Sequence, residues 1–407
     1  MSTSRRPRRS RHPTLNSVLE KLQHGVDLTE GELSLLKGQL DDLEHRAQDQ
    51  AVRRAEAHGP APAADPDVRD AYSERLAGHA TPEGTTEFAS RFGAGTVDFY
   101  RPAQGLSLST IGIGTHLGAA DEETDAMYAG AVRAALRTGA NLIDTSLTYR
   151  RQRSERATAT GLRRFIDNDG GDREQVVVCT KGGYPLSECV TPGALEPTEV
   201  AGGVHSIAPA FLADQIRRSR QNLGLETIDV YYLHNPETQL KHVGGSEFMR
   251  RIRAAFHQLE CAVSDGSIRY YGTATWDGYR SGLLSLPALV AAAREVGGDG
   301  HHLRFLQLPL NLGMQEALTH PAEGGGSVLK LAAESGITVI VSASLLQGRL
   351  ARDLTADTPP SRSGLRTDAQ RAIQFARSRA GVTSALVGMR SVAHVAENLA
   401  LARDTAG

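Results

Sequence analysis

The sequence predicts an α/β protein, a (β/α)8 TIM barrel preceded by an N-terminal helical extension. From about residue 95 onward, short apolar runs alternate with segments of helical period, and eight strand–helix pairs follow one another. The runs are apolar along nearly their whole length, as at 176–179 and 337–341, which indicates a parallel sheet buried on both faces. A closed barrel is the simplest arrangement of eight such units.

The period of the apolar residues places each element in turn. In the first helix, Tyr128, Ala131 and Val132 fall at positions i, i+3 and i+4, on one helical face. The predicted strands lie near residues 111–115, 140–143, 175–180, 228–233, 268–273, 303–308, 337–342 and 384–388. The predicted helices lie near residues 122–138, 154–167, 208–223, 245–265, 278–296, 326–335, 366–380 and 391–404. Alternating residues around 94–110 predict a hairpin that covers the bottom of the barrel.

Residues 1–90 differ in composition from the barrel predicted for residues 91–407. They contain a basic tail, a helix that begins at the capping box of Thr29 and Glu32, and a linker rich in proline and alanine. Leucines at heptad spacing predict a helical hairpin within residues 15–50. This hairpin either forms a homo-oligomer or docks a partner, or it packs on its own barrel or is half disordered, and both interpretations stay open.

Composition excludes several classes of protein. The chain has 407 residues and a formal net charge of −2, so no global positive field favours nucleic acid or anionic lipid. Its three cysteines form no C-x-x-C motif, which fits a reducing compartment. No apolar run reaches the roughly 18 residues of a membrane span, and no apolar stretch follows the basic start. A cytoplasmic protein that binds neither membrane nor nucleic acid is expected.

A glycine motif raises one alternative fold. Gly112, Gly114 and Gly118 follow a predicted strand and precede a helix, as in a dinucleotide-binding turn. The third glycine lies one position late, and Asp144 lies well beyond the ~20 residues at which the ribose-binding acid normally follows. A doubly wound sheet also leaves the eight repeats unexplained, so the barrel is preferred.

Ionisable residues follow three consecutive predicted strands. Asp144 and Tyr149 come after the second strand, Lys181 after the third and His234 after the fourth. In a (β/α)8 barrel the carboxyl ends of all strands meet at one face, where active sites form. Each residue alone fits a structural role, such as a helix cap or a rim charge. Together, at matching places in adjacent units, they predict an active site.

The same stretches resemble the aldo-keto reductase superfamily, over roughly residues 95–404. The resemblance rests on the segments 111–115, 141–149, 154–155, 180–181, 228–236, 268–272 and 397–398. It implies Tyr149 as general acid, Asp144 and Lys181 as the pair that tunes it, and His234 as the group that orients a substrate carbonyl.

The chemistry of carbonyl reduction is consistent with these roles. A carbonyl that accepts hydride becomes an alkoxide, so it needs a positioned proton donor. A free phenol has a pKa of about 10, and a cation within about 4–6 Å lowers that pKa. Lys181 supplies the cation, and the carboxylate of Asp144 keeps a buried lysine charged. His301 and His302 lack a third ligand at metal spacing, so no metal site is predicted.

The resemblance also implies a set of cofactor-binding residues. Arg390, near a ribose 2′ position, favours NADPH over NADH, because a guanidinium binds a phosphate dianion through two hydrogen bonds. His394 stands where relatives often carry Arg or Gln, so NADH stays possible. The implied set is Gly114, Thr115, Asp144, Thr275, Gln307, Ser342, Ser344, Leu345, Gln347, Gly348, Arg349, Gly388, Arg390, His394, Glu397 and Asn398.

Some positions depart from the family pattern. Thr275 alone replaces a Ser-Asn pair that holds the nicotinamide carboxamide, and Ser342 stands where an aromatic ring usually stacks on the nicotinamide. Trp276, the only tryptophan, either lines the substrate pocket or packs internally. The residues expected to contact substrate are His116, Tyr149, His234 and Trp276.

The sequence therefore predicts an NADPH-dependent oxidoreductase that transfers hydride to a small aldehyde, ketone or related C=O or C=N compound. Residues 182–206 form an insertion over the pocket mouth, which acts as a substrate-selecting lid or as a passive surface excursion. Two other functions stay open: an NADP(H)-binding, redox-responsive scaffold or regulatory subunit with slow turnover, and a cofactor-dependent step other than reduction.

Overall fold

Eight parallel strands close into a barrel, with helices packed around it. The computed structural model describes residues 75–92, 98–322, 325–352, 354 and 365–402. Within them, the last strand of the barrel pairs with the first, in parallel, and every other neighbour pair is consecutive along the chain. The predicted (β/α)8 TIM barrel is confirmed, and the closed sheet excludes the doubly wound alternative.

The elements lie close to their predicted positions. A two-stranded hairpin and the eight barrel strands are β1 Tyr100–Ala103, β2 Leu106–Ser109, β3 Ile111–Gly114, β4 Leu142–Asp144, β5 Val177–Gly182, β6 Ile228–His234, β7 Ile268–Ala274, β8 Leu303–Pro309, β9 Thr338–Ser342 and β10 Ser384–Gly388. The helices are α1 Pro82–Phe92, α2 Glu122–Arg137, α3 Arg153–Asp169, α4 Pro209–Leu223, α5 Gly245–Ser264, α6 Leu286–Gly297, α7 Glu316–Thr319, α8 Val328–Glu334, α9 Asp368–Arg377 and α10 Val392–Leu399. Short 3-10 helices lie at Arg173–Gln175, Ser187–Cys189, Pro197–Glu199, Pro236–Lys241, Leu346–Ala351 and Ala400–Ala402.

One helix begins later than predicted. The period of apolar residues places its start near residue 278, whereas α6 begins at Leu286. The side chain of Ser285 accepts a hydrogen bond from the backbone N–H of Ala288, and Pro287 occupies the first turn. A serine cap followed by proline is a strong start signal, and it outweighs the apolar pattern upstream.

The hairpin of β1 and β2 closes the bottom of the barrel, as predicted. Asn141, just before β4, accepts a hydrogen bond from the backbone N–H of Ser109 at 2.8 Å and donates one to the carbonyl of Ser107 at 2.8 Å. Leu106 and Leu108 pack in the apolar cluster that fills the barrel interior. Because the bottom is plugged, the open end of the barrel lies at the carboxyl ends of its strands.

The described segment before the β1–β2 hairpin also packs on the barrel. Leu76 forms a parallel bridge with Leu225, the backbone N–H of Ala80 donates to Asp229 at 2.7 Å, and Phe88 of α1 is fully buried. The predicted basic tail, linker and helical hairpin of residues 15–50 lie outside the described residues. The division of the chain at residue 90 stays a prediction.

Within the described part of the chain, every helix is too short or too polar to traverse a lipid bilayer.

Candidate active site

The alternation of side chains along each strand places the predicted site residues at the barrel mouth. Alternate residues of a strand lie on the same face. On several barrel strands, a residue that fills the interior cluster is followed two positions later by a residue predicted for the site. These pairs are Leu142 and Asp144, Cys179 and Lys181, Tyr232 and His234, Phe305 and Gln307, Ile340 and Ser342, and Leu386 and Gly388. The predicted site residues at the mouth therefore form the layer directly above the apolar residues that fill the barrel.

Asp144 and Lys181 form a buried ion pair at the centre of this layer. Lys181 donates from Nζ to Asp144 Oδ1 at 2.5 Å and to the carbonyl of Thr145 at 2.8 Å. The second carboxylate oxygen of Asp144 accepts from Gln307 Nε2 at 2.7 Å. Burial has the largest single effect and lowers the pKa of Lys181, but the charge of Asp144, its hydrogen bond to Lys181, and Tyr149 and Cys179 together outweigh burial, and the pKa is raised. Lys181 is thus held as a cation.

Tyr149 lies beside this ion pair. Lys181 Nζ lies 5.0 Å from the centre of the Tyr149 ring. The rings of His234 and His116 lie 5.9 Å and 4.6 Å from that ring, centre to centre, and both meet it edge-on. The structure therefore brings together the four residues predicted for catalysis, with His116 as a fifth group.

The turn after Tyr149 is held by a residue that the sequence did not single out. Arg150, Arg151 and Gln152 all have left-handed backbone angles, with φ of 49°, 56° and 71°. Such a run is costly for residues with side chains and persists only where its surroundings enforce it. The buried guanidinium of Arg150 donates to the carbonyl of Ala119 at 2.7 Å and to Asp125 at 2.5 Å. These contacts tie the Tyr149 turn to the segment around the start of α2.

Both histidines near Tyr149 are held neutral. Burial lowers the pKa of His234 well below its usual value, and the positive charge of Lys181 lowers it further. The surrounding protein and the charge of Lys181 lower the pKa of His116 to about 4, although this side chain is exposed at the mouth and solvent weakens the effect. His234 Nδ1 is buried and makes no hydrogen bond to any described residue. A neutral imidazole with an unpaired nitrogen suits a group that hydrogen-bonds a substrate oxygen.

Two further aromatic residues beside His234 were not predicted. Tyr184 and His205 come from the two ends of the insertion 182–206, and the ring of Tyr184 lies 5.2 Å from that of His234. The tetrad pattern could not reveal them, because they share no strand position with it.

The predicted cofactor residues line the other side of the mouth. Gly114 and Gly388 end the neighbouring strands β3 and β10 at paired positions. Thr275 follows β7, and its backbone N–H donates to the carbonyl of Gln307 at 2.9 Å. Ser344 follows β9 and is buried, whereas Arg349 in the next 3-10 turn is exposed. The side of the mouth from β7 to β10 thus combines buried hydroxyls with an exposed loop.

Several of these residues carry buried polar atoms with no protein partner. Among the described residues, nothing hydrogen-bonds Thr275 Oγ1, Ser344 Oγ or Asn398 Oδ1. Buried polar atoms are nearly always paired in proteins, so these three atoms keep hydrogen-bonding capacity that a ligand can use, as do other unpaired buried atoms among the described residues. Hydroxyl and amide groups of this kind fit the amide, phosphate and ribose groups of a dinucleotide. The residues present are therefore compatible with a bound nicotinamide dinucleotide.

The side of the mouth with the predicted cofactor residues has an exposed, basic edge at the start of α10. Arg390 and His394 are exposed, and Arg390 lies against the turn at Gly118, since a Cβ on that glycine would lie 3.6 Å from Arg390 Cδ. Ser391 caps α10 by accepting from the backbone N–H of His394. Glu397 is half-buried, and its carbonyl accepts from Gln370 Nε2 at 2.7 Å. Among the described residues no carboxylate pairs with Arg390, so its guanidinium can face an anionic group at this edge.

The loop after β7 is held by Glu237, another residue that the sequence did not single out. Its Oε1 accepts from the backbone N–H groups of Trp276, Asp277 and Gly278 at 2.9, 3.0 and 3.0 Å. Burial raises the pKa of Glu237 to about 7, although the three N–H groups oppose the shift. Glu237 follows β6, so it joins the loop after His234 to the loop that carries Thr275.

In the described ranges, no three histidine, cysteine or acidic side chains converge as a metal site would require. His302 instead hydrogen-bonds Glu260 through Nδ1 at 2.7 Å.

Comparison with known proteins places this geometry in context. Residues 110–281 match the model of the aldo/keto reductase family. The fold is similar to an aldo/keto reductase from Klebsiella pneumoniae in complex with NADP and acetate, at 19% identity and a TM-score of 0.54, covering 77% of this chain and 91% of that one. It is also similar to the holo form of an aldo-keto reductase from Bacillus halodurans, at 19% identity and a TM-score of 0.54, covering 75% and 91%. A glycerol dehydrogenase from Gluconobacter oxydans matches at 20% identity and a TM-score of 0.53, covering 76% and 91%.

Proposed function

We propose that this protein is an NADPH-dependent oxidoreductase of the aldo-keto reductase superfamily, which reduces an aldehyde, ketone or related C=O or C=N compound; the match of residues 110–281 to the aldo/keto reductase family model supports the proposal. The observation that carries the proposal is the buried Lys181–Asp144 pair beneath Tyr149, beside the neutral His234. This arrangement supplies a proton donor and an electrostatic environment for a developing alkoxide.

Tyr149 is the proton donor in this proposal. Its hydroxyl gives a proton to the substrate oxygen as negative charge develops there, and the cation of Lys181 stabilises the phenolate left behind. The Lys181 charge is itself secured by Asp144 at 2.5 Å. Since both oxygens of Asp144 accept hydrogen bonds, the carboxylate is fixed and needs no rearrangement during the proton transfer.

His234 orients the substrate oxygen. A histidine whose pKa lies well below its usual value stays neutral near physiological pH, so it neither repels Lys181 nor competes as an acid. Its Nδ1 has no hydrogen-bond partner among the described residues, so the protein does not tie the imidazole to another role and the ring is available to a substrate oxygen. The ring of His116 also meets the Tyr149 ring edge-on, at 4.6 Å between ring centres.

NADPH fits the other side of the mouth. When bound, it supplies the hydride for the carbonyl carbon. Thr275, Ser344 and Asn398 offer buried hydrogen-bonding atoms, and Arg390 offers an exposed guanidinium for a 2′-phosphate. The similar Klebsiella pneumoniae enzyme was solved in complex with NADP, which supports this assignment. Titration of the protein with NADPH and with NADH, followed by a panel of carbonyl compounds, tests the cofactor and the reaction in one preparation.

A second candidate function is an NADP(H)-binding scaffold or regulatory subunit with slow turnover. Ser342 favours it, because this half-buried side chain ends β9 where the family usually places an aromatic ring on the nicotinamide. Tight binding of NADPH without oxidation by any carbonyl compound would select this function over the reductase.

A further inference from the structure

The insertion 182–206 is closed at its base. The backbone N–H of Ser206 donates to the carbonyl of Gly183 at 2.8 Å, so the two ends of the insertion meet. A Cβ on Gly183 would lie 2.8 Å from both His205 Nε2 and His234 O, which explains a glycine at this point. The insertion therefore leaves and re-enters the barrel directly beside His234.

His205, at the second end, is fully buried and held by two hydrogen bonds. Its Nε2 lies 2.7 Å from the carbonyl oxygen of His234. Its Nδ1 lies 2.9 Å from the amide nitrogen of Gln239, which also donates to His205 O at 3.0 Å. A carbonyl only accepts and an amide nitrogen only donates, so Nε2 carries the proton and Nδ1 accepts. The ring of His205 is thus fixed as one neutral tautomer, in accord with a pKa lowered by burial to about 4.

Tyr184, at the first end, lies between His205 and His234. Its ring lies 5.1 Å from the ring of His205 and 5.2 Å from that of His234, at angles of 89° and 88°. Asn235, the residue after His234, donates from Nδ2 to Tyr184 Oη at 2.9 Å. Edge-on aromatic pairs at this separation are stabilising, so the three rings support one another.

We propose that His205 is a positioning residue, which fixes both Tyr184 and the main chain of His234 and so holds the His234 ring toward Tyr149. The proposal rests on the reductase function proposed above. It gives the base of the insertion a role in the reaction, distinct from both a mobile lid and a passive surface excursion. His205 lies beyond the tetrad and acts through His234 and Tyr184, not by touching substrate.

Two variants of His205 and one control test the proposal. His205→Phe keeps a ring against Tyr184 but loses both hydrogen bonds, whereas His205→Gln keeps an amide donor for His234 O. Val204→Ala changes an exposed residue of the same insertion. Steady-state kinetics, NADPH titration and thermal unfolding are measured on each full-length protein.

A displaced catalytic ring lowers kcat without changing cofactor binding. We expect His205→Phe to lower kcat about 10- to 100-fold, the cost of misplacing a catalytic group by up to about an ångström, with NADPH affinity unchanged. His205→Gln should recover most of the loss, and Val204→Ala should match the wild type. An unchanged kcat in folded His205→Phe, or a Gln variant as slow as Phe, would overturn the proposal.

A second readout separates this proposal from the reductase function. If the wild type binds NADPH and reduces nothing, the function proposed above fails. The His234 ring is then followed by NMR in wild type and His205→Phe. A shifted and broadened His234 signal, with the His116 signal unmoved, supports the positioning role. An unmoved His234 signal overturns it.

Discussion

The buried Lys181–Asp144 pair and the opposite side of the barrel mouth differ in how completely the protein satisfies their buried polar atoms. On the tetrad side, Lys181 Nζ donates to Asp144 and Thr145, and both oxygens of Asp144 accept hydrogen bonds. On the side formed by the loops after β7 and β9 and by α10, buried atoms of Thr275 and Ser344 have no partner among the described residues. The Lys181–Asp144 ion pair is thus satisfied within the protein, although His234 Nδ1 beside it has no described partner, and the hydroxyls of the other side are suited to a ligand.

This difference separates two tasks that a reductase must perform. Groups that stabilise charge in a transition state work best when they are fixed before the reaction, because no energy is then spent on reorganising them. Groups that bind a ligand must leave hydrogen-bonding capacity unused. Substitutions on the tetrad side should therefore change turnover or stability, and substitutions on the other side should change affinity.

The largest effect is expected at Tyr149. Tyr149→Phe removes the proposed proton donor and keeps a ring against His116 and His234. Turnover should fall by about 10²–10⁴-fold, the usual contribution of a positioned acid, while NADPH affinity stays nearly unchanged. Steady-state kinetics and a fluorescence titration measure the two quantities. A Phe variant with near-normal turnover would remove Tyr149 from the mechanism.

Lys181→Met tests how much the buried Lys181–Asp144 pair contributes to stability. The substitution leaves the Asp144 carboxylate buried without its counter-ion, so the free energy of unfolding should fall by about 3–5 kcal/mol. Urea denaturation measures the loss. Asp144→Asn in the same chain removes the uncompensated charge and should restore part of the stability but none of the activity. If the single variant is as stable as the wild type, the pair is less buried than the structure shows.

Glu237, which joins the two sides, should give the protein a pH-dependent stability. Its pKa is raised from 4.5 to about 7 on folding, so the folded state holds the proton more tightly than the unfolded state. The stability it contributes is present below pH 4.5 and is lost as pH rises through about 7. Glu237→Gln should therefore become more stable relative to wild type, by about 2 kcal/mol, between pH 5 and 7.

Urea denaturation of both proteins across this pH range measures the difference. Groups common to the two proteins cancel in it. A stability difference that does not vary with pH would show that Glu237 titrates at its ordinary pKa in the folded protein.

Thr275 tests the ligand-binding side. Thr275→Val removes a buried hydroxyl that has no described partner, so the unfolding free energy should hardly change. NADPH affinity should fall about tenfold, for the loss of one hydrogen bond of about 1.4 kcal/mol. Thr180→Val is the matched control, because the Thr180 hydroxyl donates to Glu155 at 2.7 Å. The control should lose stability and keep its affinity, and the reverse pattern would contradict the division between the two sides.

The smallest effect concerns cofactor choice. Arg390 is exposed, so its pairing with a 2′-phosphate is partly screened by solvent. We expect NADPH to bind about tenfold more tightly than NADH, a difference of about 1.4 kcal/mol. Arg390→Gln should bring the two affinities close together. Equal affinities in the wild type would remove Arg390 from cofactor recognition.

Local sequence patterns predict the strands and the tetrad but not the contacts that support them. Asp144, Lys181 and His234 were found because each ends an apolar run, and the barrel brings such ends together. Glu237 and His205 could not be found in this way, since their partners at Gly278 and His234 are distant in sequence. For the same reason, the sequence does not predict that the amide nitrogen of Gln307 donates a hydrogen bond to Asp144. Such contacts join residues that are distant in sequence, so no periodic pattern of apolar residues predicts them.

The most direct test of the account is a single-turnover experiment. The protein is loaded with NADPH and mixed in a stopped-flow instrument with a panel of aldehydes and ketones, in parallel with Tyr149→Phe. The account predicts that at least one carbonyl compound oxidises the bound NADPH in the wild type, and that the same step is slowed by about 10²-fold or more in the Phe variant. Tight NADPH binding with no oxidation by any compound, or equal rates in the two proteins, would contradict it.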